Sequence, residues 1–258
     1  MKNLLQSKIF IIKLPYLNTN PFLKNSEFEF KNFMFNIVLK NNFNEYINDD
    51  EIIKAEKFLF LNDTIRYLMT RIFIKKILSS ELNLSYKLIE FYSGKYKKPF
   101  VNIDKFNKKI FFNISHSKEY LAIGISFINE IGIDIEYKDT LVDFESLKSQ
   151  IFSDYEEQYF NKLLLFQDKV NYFYQVWSLK EAILKGIGVG LFFSPNLLSI
   201  LNNKSLQPKI LNLADCDQES NFSKWNNYIV NFNDNYALAF SQKEEIQDYE
   251  TIFLDHSY

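Results

Sequence analysis

Apolar side chains recur along this chain at two periods, and the two periods divide it into helices and strands. Tyr172, Val176, Leu179 and Ile183 fall at i, i+4, i+7 and i+11, the spacing of a core-facing helical stripe. They predict a helix over 168–185, and the run Gly186-Ile187-Gly188-Val189-Gly190 reads as its stop. A second helical region extends from Asp49 to about Leu82, where Ile53, Phe60, Ile65, Leu68, Ile72 and Ile77 recur among charged residues. Within it Asn62-Asp63-Thr64 is placed to cap a helix from Ile65 to about Ser79. Segments 143–151 and 154–166 also read as helices. Period-two alternation marks strands near 109–114, 120–127 and 131–136. In the middle strand Leu121, Ile123, Ile125 and Phe127 share one face, and Ala122, Gly124 and Ser126 on the other leave room for a second element to lie close. The Phe-, Ile- and Val-rich segments 8–13 and 27–39 read as strands joined by a loop around Pro21. Leu197 to Leu213 alternates weakly, and Tyr228 to Phe232 with Tyr236 to Ser241 reads as a hairpin about Asn233-Asp234-Asn235.

Each half thus offers strands and helices in comparable amounts, without a sequence repeat. This coarse symmetry predicts an α+β protein of two similar lobes, pseudo-two-fold related, each a small antiparallel sheet packed with helices. The lobes are residues 1–128 and 129–258, meeting near Ile128 to Glu130, a division that 258 residues can fill.

Composition narrows the chemistry. A formal charge of -2 gives no electrostatic case for nucleic acid or membrane as partner. Cys216 is the only cysteine, so no intrachain disulfide or cysteine-based zinc site can form. The apolar run Ile9-Phe10-Ile11-Ile12, bracketed by Lys8 and Lys13, is too short for a signal-peptide core, and nothing later approaches a membrane span. The expected setting is the cytoplasm. His116 and His256 are the only histidines, which leaves carboxylates and amines to carry a reaction.

Those groups fall in a few clusters. In Ile131-Gly132-Ile133-Asp134-Ile135-Glu136, strand alternation turns Asp134 and Glu136 to one side and the isoleucines to the core. Two carboxylates at a strand end can hold a hard cation, although alone they read more readily as solvent-facing acids. Glu181 and Lys185 share a helix face, with Trp177 one turn earlier; alone, such a pair contributes only about 0.2–0.5 kcal/mol. Phe112-Asn113-Ile114-Ser115-His116-Ser117 follows a strand, and a neighbouring Ser and His do not make a triad, which assembles from distant residues. Lys54, Lys57, Arg66, Arg71, Lys75 and Lys76 crowd the first-half helices. A solvated helix face is the ordinary reading of that group, and an anion site is the alternative.

With these clusters in one order, the chain resembles the 4'-phosphopantetheinyl transferases, specifically the larger two-lobed class that primes carrier proteins from coenzyme A. The likeness is best from about Lys98 to Leu191 and looser from Ile53 to Ser79. It rests on Phe112 to Ser117, on Ile131 to Glu136, and on Trp177-Ser178-Leu179-Lys180-Glu181-Ala182 with Lys185, Gly188, Gly190 and Leu191. The resemblance implies that Asp134, Glu136 and Glu181 surround Mg²⁺ together with the coenzyme A pyrophosphate. Lys185 would stabilise the departing 3',5'-ADP as a carrier serine attacks the β-phosphate. Glu181 would take the serine proton, directly or through a metal-bound water. Ser115 and His116 would hold the 3'-phosphate, and Arg66 and Lys54 would complete the nucleotide pocket. Lys98-Pro99 is similar to the family's G-K-P element, but Lys97 replaces its glycine and Gly94-Lys95 lies three residues earlier, so Lys95 and Lys98 both stand as candidates. Glu51 stands where another basic residue is common. The implied partner is an apo acyl or peptidyl carrier protein docking over 143–166, and the implied state is a monomer. Two other readings remain: a different Mg²⁺-dependent phosphodiester enzyme acting on a nucleotide, and a non-catalytic coenzyme A- or carrier-binding protein.

Overall fold

Strand β1 (Ser7–Lys13) lies inside a four-stranded sheet, between β11 (Tyr249–Leu254) and β5 (Tyr120–Ser126), with β4 (Phe111–Ser117) beyond β5. The structure, a computed structural model, describes residues 7–15, 22–94, 98–101, 109–190, 193–200, 209–210, 224–246 and 248–255. Strands β4 (Phe111–Ser117) and β5 (Tyr120–Ser126) form a tight antiparallel hairpin, and β5 pairs antiparallel with β1. On β1's other side β11 (Tyr249–Leu254) runs parallel to it. A second sheet, all antiparallel, has the order β6 (Ile131–Tyr137), β10 (Tyr236–Lys243), β9 (Trp225–Ile229). Two small antiparallel pairs complete the strands: β2 (Phe91–Ser93) with β3 (Pro99–Val101), and β7 (Leu198–Ser199) with β8 (Lys209–Ile210). The fold is α+β, with small sheets and helices in both halves, as expected.

The segment 27–39 is a correction. It forms helix α1 (Glu27–Phe33), continued by a π-helical stretch over Met34–Leu39, rather than a strand. Ser26 accepts the Glu29 amide at 3.2 Å as an N-cap, and Phe30, Phe33 and Ile37 are buried at helical spacing. Helix α2 (Asp49–Glu56) starts in a capping box between Asn48 and Glu51. Helix α3 (Leu61–Leu82) begins earlier than expected, with Phe60 as N-cap, so Asn62-Asp63-Thr64 is its first turn and not its cap. Helices α4 (Phe144–Ile151), α5 (Asp154–Lys162) and α6 (Phe166–Ile187) follow β6. Most of the weak alternation over 197–213 lies outside the described residues.

The two faces of β5 separate two cores. Leu121, Ile123 and Ile125 pack with the α3 residues Ile65, Leu68 and Ile72. Ala122 joins Ile131, Ile133, Ile135, Leu238 and Phe240 on the other side. The small residues of that face are needed for this approach, since a Cβ on Gly124 would come 3.1 Å from Ile131 Cδ1. Closer still is the contact between β6 and α6. A Cβ on Gly132 would lie 1.9 Å from the Ala182 carbonyl oxygen, and one on Gly186 would meet the buried Trp225 ring at 2.4 Å. Two glycines therefore let the helix rest directly on the strand. That contact sets Glu181 and Lys185 beside Asp134. Among the described residues, no helix is long and apolar enough to cross a membrane.

Candidate active site

One edge of β6 pairs with β10; the other is met by side chains of β4. Asn113 Oδ1 accepts the Ile133 amide at 3.1 Å, and Ser117 Oγ accepts the Tyr137 amide at 2.9 Å. Between them Ser115 donates its hydroxyl to Asp134 Oδ1 at 3.0 Å. Asn113, Ser115 and Ser117 alternate along β4, so one face of the strand supplies a polar ladder in place of a backbone one. The seam joins the two sheets and aligns Asp134 and Glu136 with Ser115 and Ser117. Ser115 was expected in the site; Asn113 and Ser117 were not assigned, although their period-two spacing with Ser115 was visible.

From the opposite side α6 brings Trp177, Glu181 and Lys185. Lys185 Nζ donates to Asp134 Oδ1 at 2.5 Å and to Ser115 Oγ at 2.9 Å. Trp177 Nε1 donates to Glu136 Oε1 at 3.2 Å, while Glu136 Oε2 faces the Ser117 hydroxyl at 3.5 Å. Asp134 Oδ2 and Glu181 Oε1 are buried without a hydrogen-bond partner among the described residues. Buried carboxylate oxygens without a donor are costly. Burial, reinforced by the negative charge of Asp134, pushes Glu136 up to about 7, and Glu181 adds to this against the Trp177 hydrogen bond and the Lys185 charge. Burial and then Asp134 likewise raise Glu181, with Lys185 acting in the other direction. Three carboxylates therefore share a single lysine, and the site is short of positive charge.

A hard divalent cation fits that shortage. Oxygen donors are what Mg²⁺ selects, and the two unpartnered oxygens are free to coordinate. The three carboxylates do not yet form a closed ligand set. Among the described residues, no group of three or more His, Cys, Asp or Glu side chains is arranged to hold a metal. Asp134 Oδ1 is engaged by Lys185 and both Glu136 oxygens face donors, so coordination by all three requires those contacts to rearrange.

The basic candidates separate clearly. His116 is exposed on β4 beside the cleft; the protein around its ring, followed by the positive charges of Arg66 and Lys185, lowers its pKa. Arg66 donates to Asp63 Oδ1 at 3.1 Å from one nitrogen, while its buried Nε has no partner among the described residues. That leaves a cationic donor near His116 able to receive an anion. Lys54 is exposed on α2 with its ammonium 5.0 Å from the Tyr67 ring. Arg71 and Lys75, in contrast, are internal partners of Glu51 at 2.5 and 2.6 Å. Burial opposes the Glu51 charge, but the hydrogen bonds from Lys75 and Arg71 leave its pKa lowered. Glu51 is thus an architectural acid, which accounts for the acidic side chain at that position.

Lys98 crosses from β3 to the end of α6. Its ammonium donates to the Gly186 carbonyl, and its aliphatic stem lies against Gly188. Burial lowers its pKa to about 8, offset in part by Glu130. In this structure Lys98 caps the α6 C-terminus, a favourable place for a cation. It lines a cleft of about 460 Å³ with Pro99, Phe111, Glu130, Gly188 and Lys243. Lys95 and His256 lie outside the described residues.

Three acids gathered about one lysine where β4, β6 and α6 meet, with an arginine and a histidine nearby, make a site suited to a charged, oxygen-rich ligand. Residues 130–241 match the family model of the 4'-phosphopantetheinyl transferase superfamily, and residues 40–126 match that of the 4'-phosphopantetheinyl transferase N-terminal region. The chain belongs to the 4'-phosphopantetheinyl transferase superfamily. The Synechocystis sp. protein slr0495 is 26% identical over 212 residues, 81% of this chain and 84% of its own length. The 4'-phosphopantetheinyl transferase gsp of Aneurinibacillus migulanus is 32% identical over 58% of this chain and 59% of its own. The 4'-phosphopantetheinyl transferase HetI of Nostoc sp. is 30% identical over 56% of this chain, and the match spans 61% of that protein.

Proposed function

We propose that this protein transfers 4'-phosphopantetheine from coenzyme A to a serine of an apo acyl or peptidyl carrier protein and releases 3',5'-ADP. The observation that carries this reading is the meeting of Asp134, Glu136, Glu181 and Lys185 between β6 and α6, with buried carboxylate oxygens unpartnered, in a chain of this superfamily. Asp134, Glu136 and Glu181 would hold Mg²⁺. Bound there, the ion supplies charge neutralisation for the pyrophosphate.

The remaining work falls to the chain's own groups. Arg66, with its unpartnered Nε, His116 and Ser115 are suited to the 3'-phosphate, with Lys54 at the outer edge and Lys98 at the nucleotide cleft. In transfer, the serine oxygen forms a bond to the β-phosphorus, and the bond from that phosphorus to the oxygen of 3',5'-ADP breaks. Lys185, placed beside Ser115 and Asp134, would stabilise the charge that develops on the leaving phosphate. Glu181 would accept the serine proton, a role that its raised pKa favours. The division of labour follows the lobes, 1–128 binding nucleotide and 129–258 carrying the acids. The carrier would approach over 143–166, and the protein would act as a cytoplasmic monomer.

The test is incubation of the full chain with coenzyme A, Mg²⁺ and an apo carrier, followed by mass spectrometry of the carrier. A phosphopantetheine mass gain that vanishes on chelation is expected. No gain across several carriers that a known transferase modifies would overturn the reading, and free phosphopantetheine released without a carrier would favour a hydrolase.

A further inference from the structure

Next to Glu181 in sequence, Lys180 points the other way, into the second lobe. It is fully buried, and so is its partner Glu156, at 2.5 Å. Every contact of this pair is made. Lys180 Nζ also donates to the Ile151 carbonyl at 2.6 Å and the Pro195 carbonyl at 3.0 Å. Glu156 Oε2 accepts the Ser153 amide at 2.8 Å, and Oε1 accepts the Ile200 amide at 2.8 Å. Glu156 is the capping-box residue of α5, and Ile151 is the last residue of α4. One buried pair thus ties the end of α4, the start of α5 and the segment 195–200 to the middle of α6.

A buried ion pair is a poor way to gain stability, because desolvation offsets the attraction and apolar replacements of similar volume often stabilise as well or better. Its place in the fold suggests another purpose. Ile151 and Pro195, whose carbonyls Lys180 holds, line a cavity of about 710 Å³ together with Trp177 and Glu136. Consecutive helix residues lie about 100° apart around the axis. Fixing Lys180 inward therefore fixes Glu181 toward Asp134.

We infer that Lys180 and Glu156 are positioning residues for the transfer reaction: they lock the rotation of α6 that presents Glu181, and they hold together the walls of the cavity bounded by Trp177, Ile151 and Pro195. The inference rests on the proposed transferase reading, and its test separates the two. Lys180→Met alone strands the Glu156 charge and can unfold the chain, so the measurement uses the double replacement Lys180→Met with Glu156→Leu, which leaves no buried charge.

The double variant should still melt cooperatively but below the parent, because the Ile151 and Pro195 carbonyls and the Ser153 and Ile200 amides lose their partners, so turnover is compared at a temperature where both proteins are folded. Its kcat for carrier modification should fall about tenfold or more, with the KM for coenzyme A changed less than threefold. An activity-independent reading comes from acrylamide quenching of tryptophan fluorescence. The sequence has two tryptophans, and Trp225 is buried, so the quenchable emission belongs to Trp177. Quenching should increase in the double variant as the cavity walls separate. Unchanged kcat with unchanged quenching would overturn the inference, as would a loss of turnover that merely follows the unfolded fraction. If the parent itself transfers nothing, the function proposal fails and the quenching comparison alone decides the role of the pair.

Discussion

The first lobe buries Glu51 against Arg71 and Lys75, and the site between β6 and α6 gathers buried Asp134 and Glu181 with half-buried Glu136 around Lys185. In the first group one acid meets two cations, a capping amide and good geometry, and its pKa falls. In the second, three acids meet one cation, two oxygens are left bare, and the pKa values of Glu136 and Glu181 rise. Similar residue types and similar burial thus give opposite electrostatics. Charge that is satisfied within the chain serves the fold, and charge left unsatisfied is available to something the chain does not itself supply.

The largest effect should come from emptying the unsatisfied site. Asp134→Ala and Glu181→Gln should each lower carrier modification by roughly 10²–10⁴-fold, read by carrier mass. Circular dichroism should show an intact fold: Glu181→Gln keeps the shape of the side chain, and Lys185, which loses its ion-pair partner in Asp134→Ala, is partly exposed to water and still feels the charges of Glu136 and Glu181. The satisfied group should respond in reverse. Glu51→Gln leaves Arg71 and Lys75 facing each other, and should cost about 3 kcal/mol. In a chain of this size that is a fall in melting temperature of about 6–12 °C. Turnover per folded molecule should be unchanged.

A smaller effect should appear in the pH dependence of the metal-free protein. The folded-state pKa of Glu136 is raised to about 7 from an ordinary 4.5. The stability associated with its proton is therefore fully present below the ordinary value and lost as pH rises through 7. Between pH 5 and 8 the melting temperature should drop by about 5–10 °C, and Mg²⁺ should restore it at pH 8. Glu136→Gln should flatten the profile; a profile identical in parent and variant would contradict the charge imbalance. Least of all, Ser117→Ala removes the acceptor of the Tyr137 amide at the seam. It should cost about 1 kcal/mol, seen as about 2–4 °C in a melt.

Much of the chain from β4 to α6 was legible because its elements obey one period each. The isoleucines of β6 and the small face of β5 predicted their own packing. The segment 27–39 misled because its phenylalanines are dense enough to satisfy either period, and Phe30, Phe33, Ile37 and Val38 turn inward while Phe28 and Phe35 stay exposed. Strand β11 went unnoticed because it is half-exposed along most of its length, and its meaning comes from pairing with β1 at the far end of the chain. In the site, the acids and Lys185 could be found as types and spacings. Their imbalance could not, since it depends on which oxygens the fold leaves unpartnered. Lys180 was hidden in plain sight. It sits four residues from both Val176 and Leu184, within an apolar face, and that placement was the available sign of a buried amine.

The parallel pairing of β1 with β11 bears on how the chain is made. Strand β1 is made well before its outer neighbour, which is absent until residue 254 has been added. Until then the first sheet presents an open edge of Ile9, Phe10, Ile11 and Ile12, a template for pairing with other chains. Contacts so distant in sequence also form slowly. Residues 1–128 by themselves therefore carry an incomplete sheet, which is finished only by a strand of the half that follows.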